Sequence, residues 1–331
     1  MLKNTQVIDD QRSRLESLYR SHVSSGSEYA LVDFPDHANV GDSAIWVGEI
    51  EILKSITGRE PVYVSRHDNF DLSQFNKACP EGVLFIHGGG NLGDIWPHHQ
   101  IFREFLLTHV KDHPIVQLPQ SAKFRDESGI KRFAAIVAAH PNFYLYVRDT
   151  ASLDFAITNL SCRVDLTPDS AIGMGAQKRG NPICSTLMLL RTDDEQAGYN
   201  FGELESIADV EITDWLIDSP QLLKNKRFRR RAVRLWSRID SNRMRVRWYN
   251  YLANERVNRG LSLLSRGRYV ITDRLHGHIL CTLLDIPHVA LDNDYGKVSG
   301  YIASWTKGYE GLTVATSARE AAMAIKTMVD Q

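Results

Sequence analysis

The sequence has few cysteines and no long apolar run. Its 331 residues include four cysteines, none of them in a C-x-x-C pair, which argues against a disulfide framework and against a zinc knuckle. No stretch approaches the ~20 apolar residues that a membrane-spanning helix needs. The first twenty residues are polar and charged, unlike a secretory signal. We therefore expect a cytoplasmic protein with reduced thiols.

The sequence also has little net charge, −1, but its charge is unevenly distributed. Residues 224–247 hold eleven basic side chains and one acid, Asp240, whereas the rest of the chain has 28 basic and 39 acidic residues. This basic segment includes apolar residues such as Phe228 and Trp236, a combination typical of a helix on an anionic membrane surface. The alternative is a solvated helix whose arginines pair with acids elsewhere. No nucleic-acid motif accompanies the segment, so we expect no nucleic-acid partner.

Short apolar segments alternate with amphipathic ones along the chain. In the first half we expect strands at 29–34, 62–64, 83–86, 115–118 and 143–147, and helices at 44–56, 98–110, 128–139 and 150–158. Further strands are expected at 185–190, 210–214, 269–272 and 287–291. Such alternation predicts parallel sheets covered on both faces. The sequence therefore predicts an α/β fold with two Rossmann-like, doubly wound domains that face a cleft.

A glycine-rich passage marks the expected boundary between the two domains. Gly173, Gly175 and Gly180 follow the expected strand end at 166–169, as in a hinge. We expect an N-terminal domain over 1–170, a C-terminal domain over 171–316 with a basic helix at 221–250, and a closing helix over 317–331.

The most informative run extends from Thr272 to His278. It places Arg274 and His276 between an expected strand and an expected helix, with Thr272 or Asp273 as the N-cap. A guanidinium, an imidazole and free helix N–H groups together suit a small dianion. The alternative is an arginine that caps a surface carboxylate beside a core histidine.

Two more polar runs follow expected strands. Asn39 and Asp42 open the first helix, where capping alone would also explain them. The run 87–94 has four glycines in six positions, which indicates close backbone approach by a ligand. Its candidate binding residues are Gly89, Gly90, Asn91 and Asp94. A dinucleotide site is the rival interpretation, but Pro97 and the position of Asp112 weaken it, and a purely structural turn is a further alternative.

Charged residues also stand at other strand exits. Arg148 and Asp169 do so in the first half, Arg191 in the second, and Lys297 follows the strand that ends at 291. Lys297 is either a second cation for the same anion or a solvated loop lysine. The neighbouring histidines His98 and His99, and the i, i+2 pair His276 and His278, lack the spacing of a helical metal site. We expect no metal.

Six strings, taken in order, resemble the polysaccharide pyruvyl transferase family. They are Asn39-x-Gly41-Asp42, Gly88-Gly-Gly-Asn-Leu-Gly-Asp94, Arg148-Asp149, Pro168-Asp169, Asp273-Arg-Leu-His-Gly277 and Tyr295-x-Lys297. The resemblance implies a GT-B-like pair of domains. It also implies transfer of the pyruvyl unit of phosphoenolpyruvate to two hydroxyls of one exopolysaccharide sugar, which forms a ketal and releases phosphate without a further cofactor.

The resemblance gives the residues roles. Arg274 and Lys297 would hold the donor, helped by Asn39, the glycine run, Arg148 and Arg191. His276 would serve proton chemistry or stabilise the leaving phosphate, and Asp42 or Asp169 would accept the hydroxyl proton. The basic segment would hold the protein at the inner leaflet of the plasma membrane, near a lipid-linked oligosaccharide acceptor. The competing functions are a nucleotide-sugar-dependent GT-B glycosyltransferase and a non-catalytic protein that binds membrane or nucleic acid.

Overall fold

The computed structural model describes residues 1–192, 209–235, 241–292 and 296–329. A first parallel sheet is built from β1 (Tyr29–Val32), β2 (Tyr63–Ser65), β3 (Val83–Ile86), β4 (Gly89–Gly93), β5 (Ile115–Lys123), β6 (Phe143–Val147) and β7 (Arg163–Leu166). Its order is β2-β1-β3-β5-β6-β7, and β4 pairs with the C-terminal part of β5.

A second parallel sheet follows in the chain. It contains β8 (Cys184–Leu189), β9 (Val210–Thr213), β10 (Gly267–Thr272), β11 (His288–Leu291) and β12 (Leu312–Ala315), in the order β12-β11-β10-β8-β9. The mixed α/β architecture with parallel sheets is confirmed. The expected strands all occur, within a few residues of the expected bounds.

Eleven helices are described besides a 3-10 turn at Ser170–Met174 and a π-helix at Ile302–Thr306. They are α1 (Asn4–Tyr19), α2 (Val40–Thr57), α3 (Leu72–Ala78), α4 (Pro97–His109), α5 (Glu127–Ala138), α6 (Thr150–Asn159), α7 (Pro220–Leu235), α8 (Asn242–Leu264), α9 (Leu275–Leu283), α10 (Lys297–Tyr301) and α11 (Ala318–Val329). None of these described helices combines the length and apolarity that crossing a bilayer requires.

Four local features differ from what the sequence indicated. The glycine run is a strand, β4, because the long strand β5 offers it a pairing edge. We expected one basic helix at 221–250, but the segment belongs to two helices, α7 and α8. The Ser241 side chain caps the second helix. Residues 236–240 lie outside the described residues. The N-cap of α9 is Arg274, whose backbone N–H donates to the Thr272 hydroxyl. Pro97, which we took as an interruption, is the first residue of α4.

The alternation of β1 shows how the two faces of the first sheet are covered. Tyr29 and Leu31 point into a core that also contains Leu187 and Val270 of the second sheet. Ala30 and Val32 point into a second core on the opposite face, which is closed by α4 and α5. One continuous apolar core therefore joins residues from both sheets, which fixes their carboxyl edges relative to each other.

Helix α8 adds polar contacts to this junction. Its Arg256 is fully buried and donates to Asp218, to Asp36 and to the Pro35 carbonyl. The Tyr249 ring stacks on Phe34 with ring centroids 4.2 Å apart. The turn that follows β1 is thus held by a helix from the second half of the chain.

Candidate active site

Each sheet has a point where the chain reverses its winding direction. In the first sheet this point lies between β1 and β3, and in the second it lies between β8 and β10. Ligands of doubly wound sheets bind outside the carboxyl ends of such strands. The predicted site residues follow these four strands, except for Arg148 and Asp169, which follow β6 and β7, and Lys297, which follows β11.

The start of α2 provides the first carboxylate. Asn39 caps the helix by accepting a hydrogen bond from the Gly41 N–H, and its amide donates to Asp42 Oδ2 at 2.9 Å. The Asp42 side chain keeps 27% of its exposure, and His37 Nε2 lies 3.5 Å from it. Burial by itself would raise the pKa of Asp42, but His37 and His276 outweigh it and lower that pKa. Asp42 is therefore an ionised, partly accessible carboxylate.

Asp169 lies at the centre of the site and is fully buried. Its Oδ2 accepts a short hydrogen bond from the Arg148 guanidinium and lies 3.4 Å from His276 Nε2. Its Oδ1 accepts from the Ala171 N–H at 2.8 Å. Burial opposes ionisation of Asp169, but His276 and Arg148 lower its pKa well below the ordinary value. The carboxylate thus contacts the Arg148 guanidinium from the first half of the chain and the His276 imidazole from the second half.

Glycines allow the surrounding backbone to come close. A Cβ at Gly41 would collide with the His276 imidazole. A Cβ at Gly90 would lie 3.1 Å from the Arg148 guanidinium and 3.5 Å from Lys297 Nζ. Gly89 has φ of 125°, and a Cβ there would lie 3.8 Å from Asp42 Oδ1. The structure therefore brings together Asp42, Gly89, Gly90, Arg148, Asp169, His276 and Lys297.

Arg148 is fixed on two further sides. Its Nε donates to Ser121 Oγ at 2.9 Å, and that hydroxyl donates to Asp149. The Trp305 indole, from the π-helix, donates to the Arg148 carbonyl at 3.0 Å. The guanidinium is therefore held by Asp169 and Ser121, and the backbone that carries it is held by Trp305.

Arg274 has a different neighbourhood from the one that we expected. Its guanidinium donates to Asp214 at 2.6 Å, and both side chains are nearly buried. The Arg191 N–H donates to Asp273 at 2.9 Å, which joins the exits of β8 and β10. Of the described residues, the positively charged one that contacts Asp169 alongside His276 is therefore Arg148. Donor binding by Arg274 and Arg191 stays a prediction.

Two of the predicted binding residues have structural partners. The Asn91 side-chain oxygen accepts hydrogen bonds from Arg103 and from Gln120. Asp94 accepts from the N–H groups of Arg125 and Asp126 and so holds the turn after β5. Both residues shape the glycine strand, and a direct contact with substrate stays a prediction.

Sequence reasoning missed a buried pair beneath the glycine strand. Glu49 accepts hydrogen bonds from His87 Nδ1 at 2.7 Å and from the Gly88 N–H at 2.8 Å. Burial raises the pKa of Glu49, and the adjacent carboxylate raises the pKa of His87 despite its burial. The signal was available, since Glu49 is a carboxylate on the apolar face of α2.

Comparison with known proteins decides the family. The sequence profile described as polysaccharide pyruvyl transferase matches residues 39–295. The chain belongs to this family. It is therefore an enzyme, a polysaccharide pyruvyltransferase, and the resemblance of the six strings is confirmed. Tyr295, the first residue of the sixth string, lies outside the described residues.

Individual relatives agree with this assignment. Pyruvyl transferase 1 of Schizosaccharomyces pombe is 29% identical over 96% of this pyruvyltransferase and 80% of its own length. The candidate pyruvyl transferase EpsO of Bacillus subtilis is 30% identical over 86% of this chain and 88% of its own. A solved structure from Klebsiella pneumoniae, described as functionally uncharacterised, superposes with a TM-score of 0.60 at 17% identity over 93% of this chain and 99% of that chain. The last comparison supports the fold alone.

Proposed function

We propose that this pyruvyltransferase uses phosphoenolpyruvate as donor and forms a pyruvate ketal on a sugar of an exopolysaccharide repeat unit. The observation that carries the proposal is the meeting of Arg148, Lys297 and His276 around Gly90 and Asp169. A donor with a carboxylate and a phosphate needs several cations and close backbone approach. The proposal includes a GT-B-like arrangement of the two sheets around the site. It requires no cofactor besides the donor substrate.

The chemistry would proceed through protonation of the donor. A proton added to the methylene carbon of phosphoenolpyruvate leaves an oxocarbenium-like carbon, which a sugar hydroxyl attacks with loss of its own proton. Attack by a second hydroxyl of the same sugar, which also loses its proton, then displaces phosphate and closes the ketal. His276 is the proposed proton donor, because its Nε2 is the imidazole atom that faces Asp169.

Of the two candidate bases, Asp42 suits the hydroxyl proton better than Asp169. Asp169 is fully buried, and its oxygens already bind Arg148, His276 and the Ala171 N–H. Asp42 is partly exposed and lies beside Gly89 at the mouth of the site. In this scheme Asp169 is a positioning residue, which holds the imidazole and the guanidinium at the donor.

The acceptor is proposed to be lipid-linked and to be met at an anionic membrane surface. Lys224, Arg227, Arg243 and Arg247 are exposed, as are the apolar side chains of Phe228 and Met244. Other members of the basic segment have different partners. Lys226 pairs with Asp36, and Arg245 is buried against Gln74. Vesicles with anionic lipid should co-sediment the protein at low salt, and binding that ignores salt or lipid charge would contradict this part.

The donor is tested by thermal shift and by phosphate release. Phosphoenolpyruvate should raise the melting temperature, because a ligand that binds only the native state stabilises it. Phosphate should then be released in the presence of a lipid-linked oligosaccharide acceptor. The rival glycosyltransferase function predicts stabilisation by a uridine or guanosine diphosphate sugar instead. Stabilisation by the nucleotide sugar alone would overturn the proposal.

A further inference from the structure

Three histidines from two separate parts of the sequence meet beside the first sheet. One ring nitrogen from each of His67, His98 and His99 lies within 4.8 Å of the corresponding atom of the others. The ring centroids are 4.2 to 5.2 Å apart. His67 follows β2, and the other two lie in the first turn of α4. Our expectation of no metal considered the neighbours His98 and His99 and the pair His276 and His278, and the fold adds His67 to the first pair.

A buried carboxylate orients one of these rings. Asp33 is fully buried, and both of its oxygens accept hydrogen bonds from His99 Nδ1, at 2.8 and 2.9 Å. With Nδ1–H donating, the neutral ring keeps its lone pair on Nε2, which is the form that binds a metal. Asp33 Oδ1 also lies 3.9 Å from His67 Nδ1. Asp33 has φ of 69°, a left-handed conformation that few residues other than glycine adopt.

We propose that His67, His98 and His99 form a binding site for a divalent transition metal ion, with Asp33 as the carboxylate that orients His99. Imidazole nitrogens favour Zn²⁺ and its neighbours, whereas Mg²⁺ and Ca²⁺ prefer oxygen ligands. Zinc–nitrogen bonds of about 2.0–2.1 Å in a tetrahedral site place ligand atoms roughly 3.4 Å apart. Drawing the three nitrogens together from within 4.8 Å is a side-chain adjustment.

The exposure of the cluster gives the ion an entry path and an open coordination position. His98 is exposed, and His67 keeps 33% of its side-chain exposure, whereas His99 keeps 12%. Three protein ligands on a half-open surface leave the fourth position to water or to an exogenous ligand. No hydrogen bond or ion pair of these residues in the described part of the chain reaches Asp169, so metal binding can be tested separately from the pyruvyl donor.

The test measures metal uptake directly. The full-length protein, stripped with a chelator and dialysed, is titrated with Zn²⁺ in competition with a chromophoric chelator, and with Co²⁺ followed by visible absorption. We expect one equivalent of each ion and a tetrahedral Co²⁺ spectrum. His98→Ala should weaken binding at least about tenfold, and Asp33→Asn should weaken it about 10- to 100-fold while keeping the shape of the side chain.

The control is His109→Ala, which removes another exposed histidine from the same helix. It should bind the ion as the unmodified protein does, and circular dichroism should show that every variant is folded. Absence of stoichiometric uptake would overturn the proposal. So would unchanged affinity in His98→Ala, or an equal loss in His109→Ala, because the ion would then be bound by surface histidines in general.

Discussion

The Nε2 atom of His276 lies 3.4 Å from Oδ2 of Asp169, and the two residues belong to different halves of the chain. The distance is longer than an optimal hydrogen bond. The Asp169 carboxylate therefore orients the His276 imidazole, and Nε2 can still donate a hydrogen bond to an oxygen of an incoming anion. This relationship determines what substitutions at the site should do.

Removal of the imidazole should affect turnover more than donor binding. His276→Ala should lower kcat by about 10²- to 10⁴-fold, the usual contribution of a general acid. Arg274→Ala should instead raise the donor KM and also lower kcat, if the guanidinium contacts the anion. Steady-state kinetics with varied phosphoenolpyruvate separates the two effects. Near-normal turnover in His276→Ala would remove this residue from the chemistry.

A methyl group at Gly41 should displace His276 without unfolding α2. The added Cβ would occupy the position of the imidazole, and a misplacement of about 1 Å in a catalytic group can cost about 100-fold in rate. Gly129→Ala is the matched control, because the new Cβ there meets only ordinary contacts, the nearest at 3.6 Å. We expect kcat to fall in the first variant only, and equal activity of the two variants would contradict the packing.

Neutralising Glu49 should destabilise the protein beneath the glycine strand. Glu49→Gln removes the charge that pairs with His87, and breaking a buried ion pair costs about 3 kcal/mol or more. Urea denaturation should show this as a lower midpoint with little change in slope. Glu51→Gln, at an exposed position of the same helix, should stay within about 0.5 kcal/mol of the unmodified protein. A similar loss of stability in both variants would show that the buried pair of Glu49 and His87 contributes no more than an exposed carboxylate does.

Acid should destabilise the protein through His278 and His288. The His288 Nδ1–H donates to the Ile286 carbonyl, so its Nε2 accepts from His278 Nδ1–H at 2.7 Å. Both rings are thus neutral, and burial lowers the pKa of His288 to about 4. The unfolded state takes up protons below its pKa of about 6.5, so stability is retained above that pH and lost between about 6.5 and 4.

The loss amounts to about 3 kcal/mol for His288, at 1.36 kcal/mol for each pKa unit. Urea denaturation at several pH values measures it. In His288→Gln the free energy of unfolding should fall less steeply as the pH is lowered over this interval. An unchanged pH dependence would assign the acid sensitivity to other groups.

Much of the architecture follows from local sequence patterns. Short runs of three to six residues marked the strands, and charged residues at their ends marked the edge where doubly wound sheets bind ligands. Gly58 ends α2 in the left-handed conformation that glycine favours, two residues after the expected end of that helix at 56. Each of these signals lies within a few residues of the strand, helix end or sheet edge that it predicts.

What the sequence left open depends on contacts between distant residues. Asp169 and Arg148 lie far along the chain from His276, and Arg274 reaches Asp214 from another strand exit, so no spacing rule connects them. The glycine run has low intrinsic strand propensity, and only the neighbouring edge of β5 makes it a strand. His67 similarly joins His98 and His99 only because β2 ends and α4 begins at the same edge of the sheet.

The close approach of Gly41 to His276 also has an electrostatic consequence. It places the N-terminal turn of α2 against that of α9, so the positive ends of two helix dipoles lie next to each other. Without substrate, the negative charges of Asp42 and Asp169 offset the positive charge of these helix ends and of Arg148. The proposed donor would therefore meet two helix N-termini that attract its negative charges and two carboxylates that repel them, so the net charge of the whole site, and not the helix ends alone, would determine how tightly an anion binds.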